Sequence, residues 1–195
     1  MNHGRLSVAL AMRAALFTSL AAVLACGNGP TEGPDAFGDP GAALVRDDEA
    51  LLQTDSLSYT VRADPDGYRV DIGAMFTNGT GASVYFANCN SLIVPSLEKL
   101  EGGEWVPAWY PVLPLCLSVP VEVPPGDTYD MDVQVFGGFP GNNQYPKFRV
   151  SDVEGIYRLV LHEAYSYYEM DGESNESLSE RWRISNRFRL VLEGE

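Results

Sequence analysis

Proton transfer, nucleophilic attack and metal binding draw on a short set of side chains, and the scarcest of them here is histidine. The chain has two, His3 and His162. His162 ends the run Tyr157-Arg158-Leu159-Val160-Leu161-His162, on a strand face shared with Arg158 and Val160. A serine–histidine–acid triad would have to use it, because the imidazole takes the serine proton. An exposed strand histidine is the simpler reading, which leaves a hydrolase using His162 as a remote alternative. One histidine and a cysteine pair fall short of the ligand sets of zinc and copper. No metal site, no catalytic residue and no cofactor is therefore expected, and the chain reads as a non-enzyme. Carboxylates are plentiful but unpatterned. Asp130-Met131-Asp132 puts two acids on one strand face, Asp64 and Asp66 flank a turn, and Asp171, Glu173 and Glu176 fall in a loop. Calcium wants about six to eight oxygens, and no EF-hand spacing organises these. A solvated acidic face is the expectation, and nothing argues for the cleft of a two-carboxylate glycosidase.

Aromatic residues are the better binding signal. Trp105, Trp109 and Tyr110 crowd one segment, Tyr165, Tyr167 and Tyr168 another, and Trp182 opens the last strand. Exposed rings stack on sugars or anchor a protein partner. Trp105, Trp109, Tyr110, Tyr167 and Tyr168 are thus the candidate binding aromatics. Against this, Trp105 and Tyr157 fit a core, and Tyr167 fits the cover of an edge. The stretch Trp-Val-Pro-Ala-Trp-Tyr-Pro is too proline-rich for a central strand, so it belongs to an edge or a loop.

Cysteine supplies the clearest chemistry. There are three, Cys26, Cys89 and Cys116. Lipidation of Cys26 leaves an even pair able to oxidise in an exported protein. A Cys89–Cys116 bridge would close a 27-residue segment and contribute about 3–4 kcal/mol through loop-closure entropy. Two free thiols or a redox pair are the alternatives, and a redox pair favours the spacing Cys-x-x-Cys.

The elements that must position these residues begin with an address. Residues 1–25 carry Arg5 and Arg13, no acid, and the apolar run Ala14 to Ala25, the pattern of a secretory signal. A transmembrane helix needs roughly 20 apolar residues, more than this run holds. Val23-Leu24-Ala25-Cys26 resembles a bacterial lipobox, which implies a diacylglyceryl (palmitate-type) anchor on Cys26 after cleavage. Gly27 at the next position resembles an outer-membrane sorting signal. Met12 is an alternative start. Residues 26–43, rich in glycine and proline, read as a lipidated cysteine and flexible tether, and residues 44–195 as one domain. Without Arg5 and Arg13 the formal charge moves from −14 to −16, which repels nucleic acid and anionic headgroups. Acidity chiefly serves solubility; a cation or basic partner is the sharper alternative.

Past residue 55 the apolar period is two. Tyr68, Val70, Ile72, Ala74 and Phe76 alternate with Arg69, Asp71, Gly73 and Met75; Tyr157, Leu159 and Leu161 repeat the pattern, as do Ile184, Asn186, Phe188 and Leu190. Val84-Tyr85-Phe86 and Leu115 to Val119 read as short buried strands. Asp64-Pro65-Asp66-Gly67 and Thr77-Asn78-Gly79-Thr80 read as hairpin turns, and Glu101 to Glu104 and Pro124 to Asp127 as further turns. Arg46 to Gln53 is assigned a turn or two of helix. About seven to nine strands with no long helix predict an all-β, antiparallel, immunoglobulin-like sandwich.

Residues 56–193 resemble the immunoglobulin-like domains of bacterial exported lipoproteins. The matching pieces are Thr77-Asn78-Gly79-Thr80, Asn88-Cys89-Asn90, Trp105, Pro125-Gly126-Asp127, Gly155-Ile156-Tyr157-Arg158 and Ser185-Asn186-Arg187-Phe188. The Pro-Gly-acidic turn and the Gly-x-Tyr strand are also similar to the domain named after an intracellular Bacillus proteinase inhibitor (BsuPI). The resemblance implies a lipid-anchored envelope module, exported and non-catalytic, presenting its loops to an unidentified envelope protein or glycan. An envelope proteinase inhibitor offering loop 137–147 or 171–180 is the alternative.

Overall fold

In β3 (Gly67–Thr77) every second side chain is buried: Val70, Ile72, Ala74 and Phe76 go inward while Arg69, Asp71 and Met75 face out. β8 (Thr128–Gly138) repeats this with Met131, Val133 and Val135. Period-two burial of this kind makes half-wetted sheets. The computed structural model describes residues 44, 50–112, 118–169 and 174–194. The other strands are β1 (Leu52–Thr54), β2 (Ser58–Asp64), β4 (Val84–Phe86), β5 (Ser96–Glu101), β6 (Glu104–Trp109), β7 (Val121–Val123), β9 (Gly155–Val160), β10 (Ala164–Tyr167), β11 (Glu176–Ser177) and β12 (Phe188–Leu192). Helix α1 (Glu180–Arg183) is a single turn. Among the described residues no helix is long and apolar enough to cross a membrane.

The fold is an all-β sandwich. One layer holds β8, β3, β1 and the end of β2; the other runs β2-β12-β9-β5-β6. Strand β2 belongs to both. Its residues 58–61 run parallel to 189–192 of β12, and its residues 62–64 pair antiparallel with 67–69 of β3. The remaining ladder pairs are antiparallel. Tyr157 sits at the start of β9 and its hydroxyl donates to Val153 O at 2.8 Å. That is the tyrosine corner expected of the immunoglobulin-like architecture. The two inner faces share one core, in which Phe76, Trp109, Phe148, Tyr157 and Phe188 are fully buried. A second, four-stranded sheet, β11-β10-β4-β7, adds Val84, Phe86, Val123 and Ala164 to the same core, with Phe86 edge-on to Phe76 at 5.0 Å.

The described strands number twelve. β4 is the short buried strand expected at Val84-Tyr85-Phe86; the surplus over the expected count comes from β1 and the rest of the small sheet, whose strands of two to four residues give too little alternation to read. The Asp64–Gly67 turn does join β2 to β3, and Gly102 and Gly103, at φ 59° and 89°, make the β5–β6 hairpin. Thr77 to Thr80 does not close a hairpin: it starts a loop joining strands of different sheets. Buried Asn78 organises that loop, donating to Ala82 O and Val123 O and accepting from Thr80 N and Oγ1. Residues 52–53 are strand rather than helix, because Leu52 enters the core and pairs with Phe76; residues 46–49 lie outside the described residues. Trp182 lies in α1, not at the opening of the last strand. Of the expected strand 115–119, residues 115–117 lie outside the description and 118–119 are not strand.

Candidate functional site

β6 lies at the edge of its layer, as its proline predicts, with Pro107 exposed. A register shift opposite Leu97 and Glu98 turns its two tryptophans to different sides. Trp109 is buried, and its indole N–H donates to Phe136 O at 2.9 Å. It therefore belongs to the core and has no surface for a ligand. Trp105 is half-buried on the outer face. The Arg158 guanidinium sits 4.4 Å from its ring centre and that of Arg187 5.8 Å away. Arg158 is held there by Glu98, which accepts from Nε at 2.7 Å and lies 2.6 Å from Nη2. The cations favour the electron-rich ring face, so Trp105 forms a stacked aromatic–guanidinium shelf.

Tyr110 is half-buried, packed 5.6 Å from the His162 ring and 4.6 Å from the Arg149 guanidinium. His162 is exposed and lies just past the end of β9, not on the strand. Its Nε2 meets Ser96 Oγ at 2.7 Å. Local sequence cannot reveal this pair, because only the β5–β9 register brings residues 66 apart together. Ser96 is 1% exposed, with Oγ also 3.4 Å from Val160 O. A carbonyl substrate has no approach to that oxygen, and among the described residues no carboxylate orients the imidazole. The geometry fits a cross-strand structural contact.

Tyr165 and Tyr168 meet edge-on at 5.6 Å, and Tyr167 is exposed. The Tyr165 hydroxyl donates to Glu163 at 2.7 Å and that of Tyr167 to Glu169. Burial, then the Glu163 hydrogen bond, pushes the Tyr165 phenol up to about 12. The structure thus separates the candidate rings into a Trp105 shelf, a Tyr110–His162 contact and a Tyr165–Tyr168 patch.

Cys89 is buried in a tight loop where its backbone exchanges both hydrogen bonds with Leu92. Asn88 Nδ2 donates to Val119 O at 2.7 Å and Asn90 N to Ser118 Oγ at 3.0 Å. Cys26 and Cys116 lie outside the described residues. The acids Asp130 and Asp132 share the outer face of β8. With Asp55 across Gly73 they line a groove of roughly 550 Å³. Among the described residues no histidine, cysteine or carboxylate cluster has the geometry to hold a metal ion. No family model matches the chain, and neither a curated protein nor a solved structure matches it.

Proposed function

We propose that this chain is a lipid-anchored, non-catalytic envelope protein that presents an immunoglobulin-like module to a partner at the bacterial surface. A signal in residues 1–25 exports it, acyl chains on Cys26 hold it in the outer membrane, and residues 26–43 tether the sandwich. Two or more acyl chains anchor stably, at about 0.8 kcal/mol per buried methylene. One observation carries the non-catalytic reading. Among the described residues the buried polar side chains are Thr54, Asn78, Ser96, Lys99, Ser185 and Asn186, and each bonds the chain's own groups. Interior polar chemistry is spent on holding strands and loops, which leaves contact surfaces to act. A Cys89–Cys116 bridge completes the module; the hydrogen bonds from 88 and 90 to 118–119 support it by drawing the two cysteine segments together.

Fractionation tests the anchor. Cys26→Ser should move the full-length protein from the membrane pellet to the soluble fraction and abolish palmitate labelling. Unchanged membrane attachment would remove the lipoprotein reading. Crosslinking from the native envelope then identifies the partner.

A further inference from the structure

The backbone groups of an antiparallel strand point alternately to its two sides, one residue to the left and the next to the right. Two contacts fix that alternation in β8. Gly138 donates its N–H to Pro146 O at 2.9 Å and accepts from Phe148 N at 3.2 Å. Phe136 O accepts the Trp109 indole N–H at 2.9 Å. Both residues therefore turn their backbone groups away from β3, and by the same alternation so do Gln134, Asp132 and Asp130. Met131, Val133 and Val135 turn theirs toward Ala74, Ile72 and Val70 of β3. The sealed upper end contrasts with the lower one. Among the described residues no hydrogen bond reaches the outward N–H and C=O groups of Asp130, Asp132 and Gln134.

We propose that this open half of the β8 edge, Asp130 to Gln134, binds an extended basic segment of another protein by β-strand addition. An added strand satisfies the outward donors and acceptors, and its alternate side chains set the specificity. Those on the inner side lie beside buried Met131, Val133 and Val135 and must be apolar. Those on the outer side lie beside exposed Asp130, Asp132 and Gln134 and are favoured when cationic. Over Gly73, opposite Asp132, lies the Asp55 carboxylate, so the groove described above gathers Asp55, Asp130 and Asp132. A lysine or arginine reaching across can lay its stem along Met75 and its head near the carboxylates. A second copy of this chain is a poor occupant, since edge-to-edge pairing crowds Asp130 and Asp132 of both copies on a chain of formal charge −14.

The inference names the partner class of the binding module proposed above and rests on that reading. The test titrates the full-length protein calorimetrically with a short peptide alternating lysine and valine, and with its glutamate–valine counterpart. The lysine peptide should bind and the glutamate peptide should not. Asp132→Pro removes an outward N–H and leaves the β3 ladder intact; it should abolish binding with an unchanged Tm. Should that variant unfold, Asp130→Asn with Asp132→Asn keeps the fold and should weaken binding about threefold to tenfold at low salt. No binding of the lysine peptide, equal binding of both peptides, or full binding by folded Asp132→Pro would each overturn the inference. So would a dimer in sedimentation that Asp132→Pro dissolves, because the edge would then belong to a second copy. None of these outcomes touches the Cys26→Ser fractionation, so the two readings fail separately.

Discussion

Asn186 ties the beginning of the domain to its end. Its Oδ1 accepts from Thr54 N at 2.7 Å, and its Nδ2 donates to Thr54 Oγ1 at 2.9 Å, across 132 residues of chain. Asn186→Ala strands a buried N–H, which costs about 1–3 kcal/mol, so the urea midpoint should fall with an unchanged m-value. Half-buried Asn175 is no control, since its Oδ1 accepts from Glu169 N at 2.7 Å; Gln134→Ala on the solvent face should stay near wild type. Tyrosine ionisation supplies a second measurement. Burial raises the phenols of Tyr59 and Tyr157, and Tyr165 is held at about 12 by burial and Glu163. Below pH 10 these phenols keep their protons in both states. From about pH 10 to 12 the unfolded chain releases protons that the folded chain retains, so stability falls as pH rises through that window. Alkaline absorbance titration of the folded protein should lag that of the urea-unfolded chain. A coincident pair of curves would contradict the buried placement of these rings.

At the scale of elements, long strands and tight turns were legible and long-range joints were not. β3, β9 and β12 carry enough alternating residues to reveal a face, and the Asp64–Gly67 and Glu101–Glu104 turns carry their own chemistry. Asn78 looks like a hairpin residue because local sequence cannot show that Val123 O, 45 residues on, takes its amide. The Ser96–His162 contact and the open β8 edge are hidden for the same reason: register and strand order create them. Trp105 and Trp109 have identical local credentials, and a single register shift sends one to the surface and the other to the core. Gly67 shows the same dependence on a neighbour. A Cβ there would run into the Gly137 carbonyl of the adjacent strand, whereas one at Gly81 meets nothing within 4 Å. Gly67→Ala should therefore destabilise by about 1–3 kcal/mol and Gly81→Ala should be near neutral, as read by thermal melts of the two variants side by side.

For the whole molecule, the proposed cysteine pairing carries a prediction of stability. A bridge from Cys89 to Cys116 would constrain the unfolded chain, and its reduction should then cost about 3–4 kcal/mol. That is a large part of a domain's usual margin of roughly 5–15 kcal/mol. Urea unfolding with and without reductant measures the loss, and non-reducing peptide mapping should return one fragment joining the two positions. Free thiols at both would sink the pairing. The strand shared between the two layers has a mechanical consequence when the domain is pulled. Residues 58–61 of β2 lie parallel to residues 189–192 of β12. Tension applied at the leading end of β2 and the trailing end of β12 pulls the two strands in opposite directions along their common axis. Their hydrogen bonds are then loaded in shear, all at once, instead of being peeled open one after another, so the seam resists force where a hairpin would unzip.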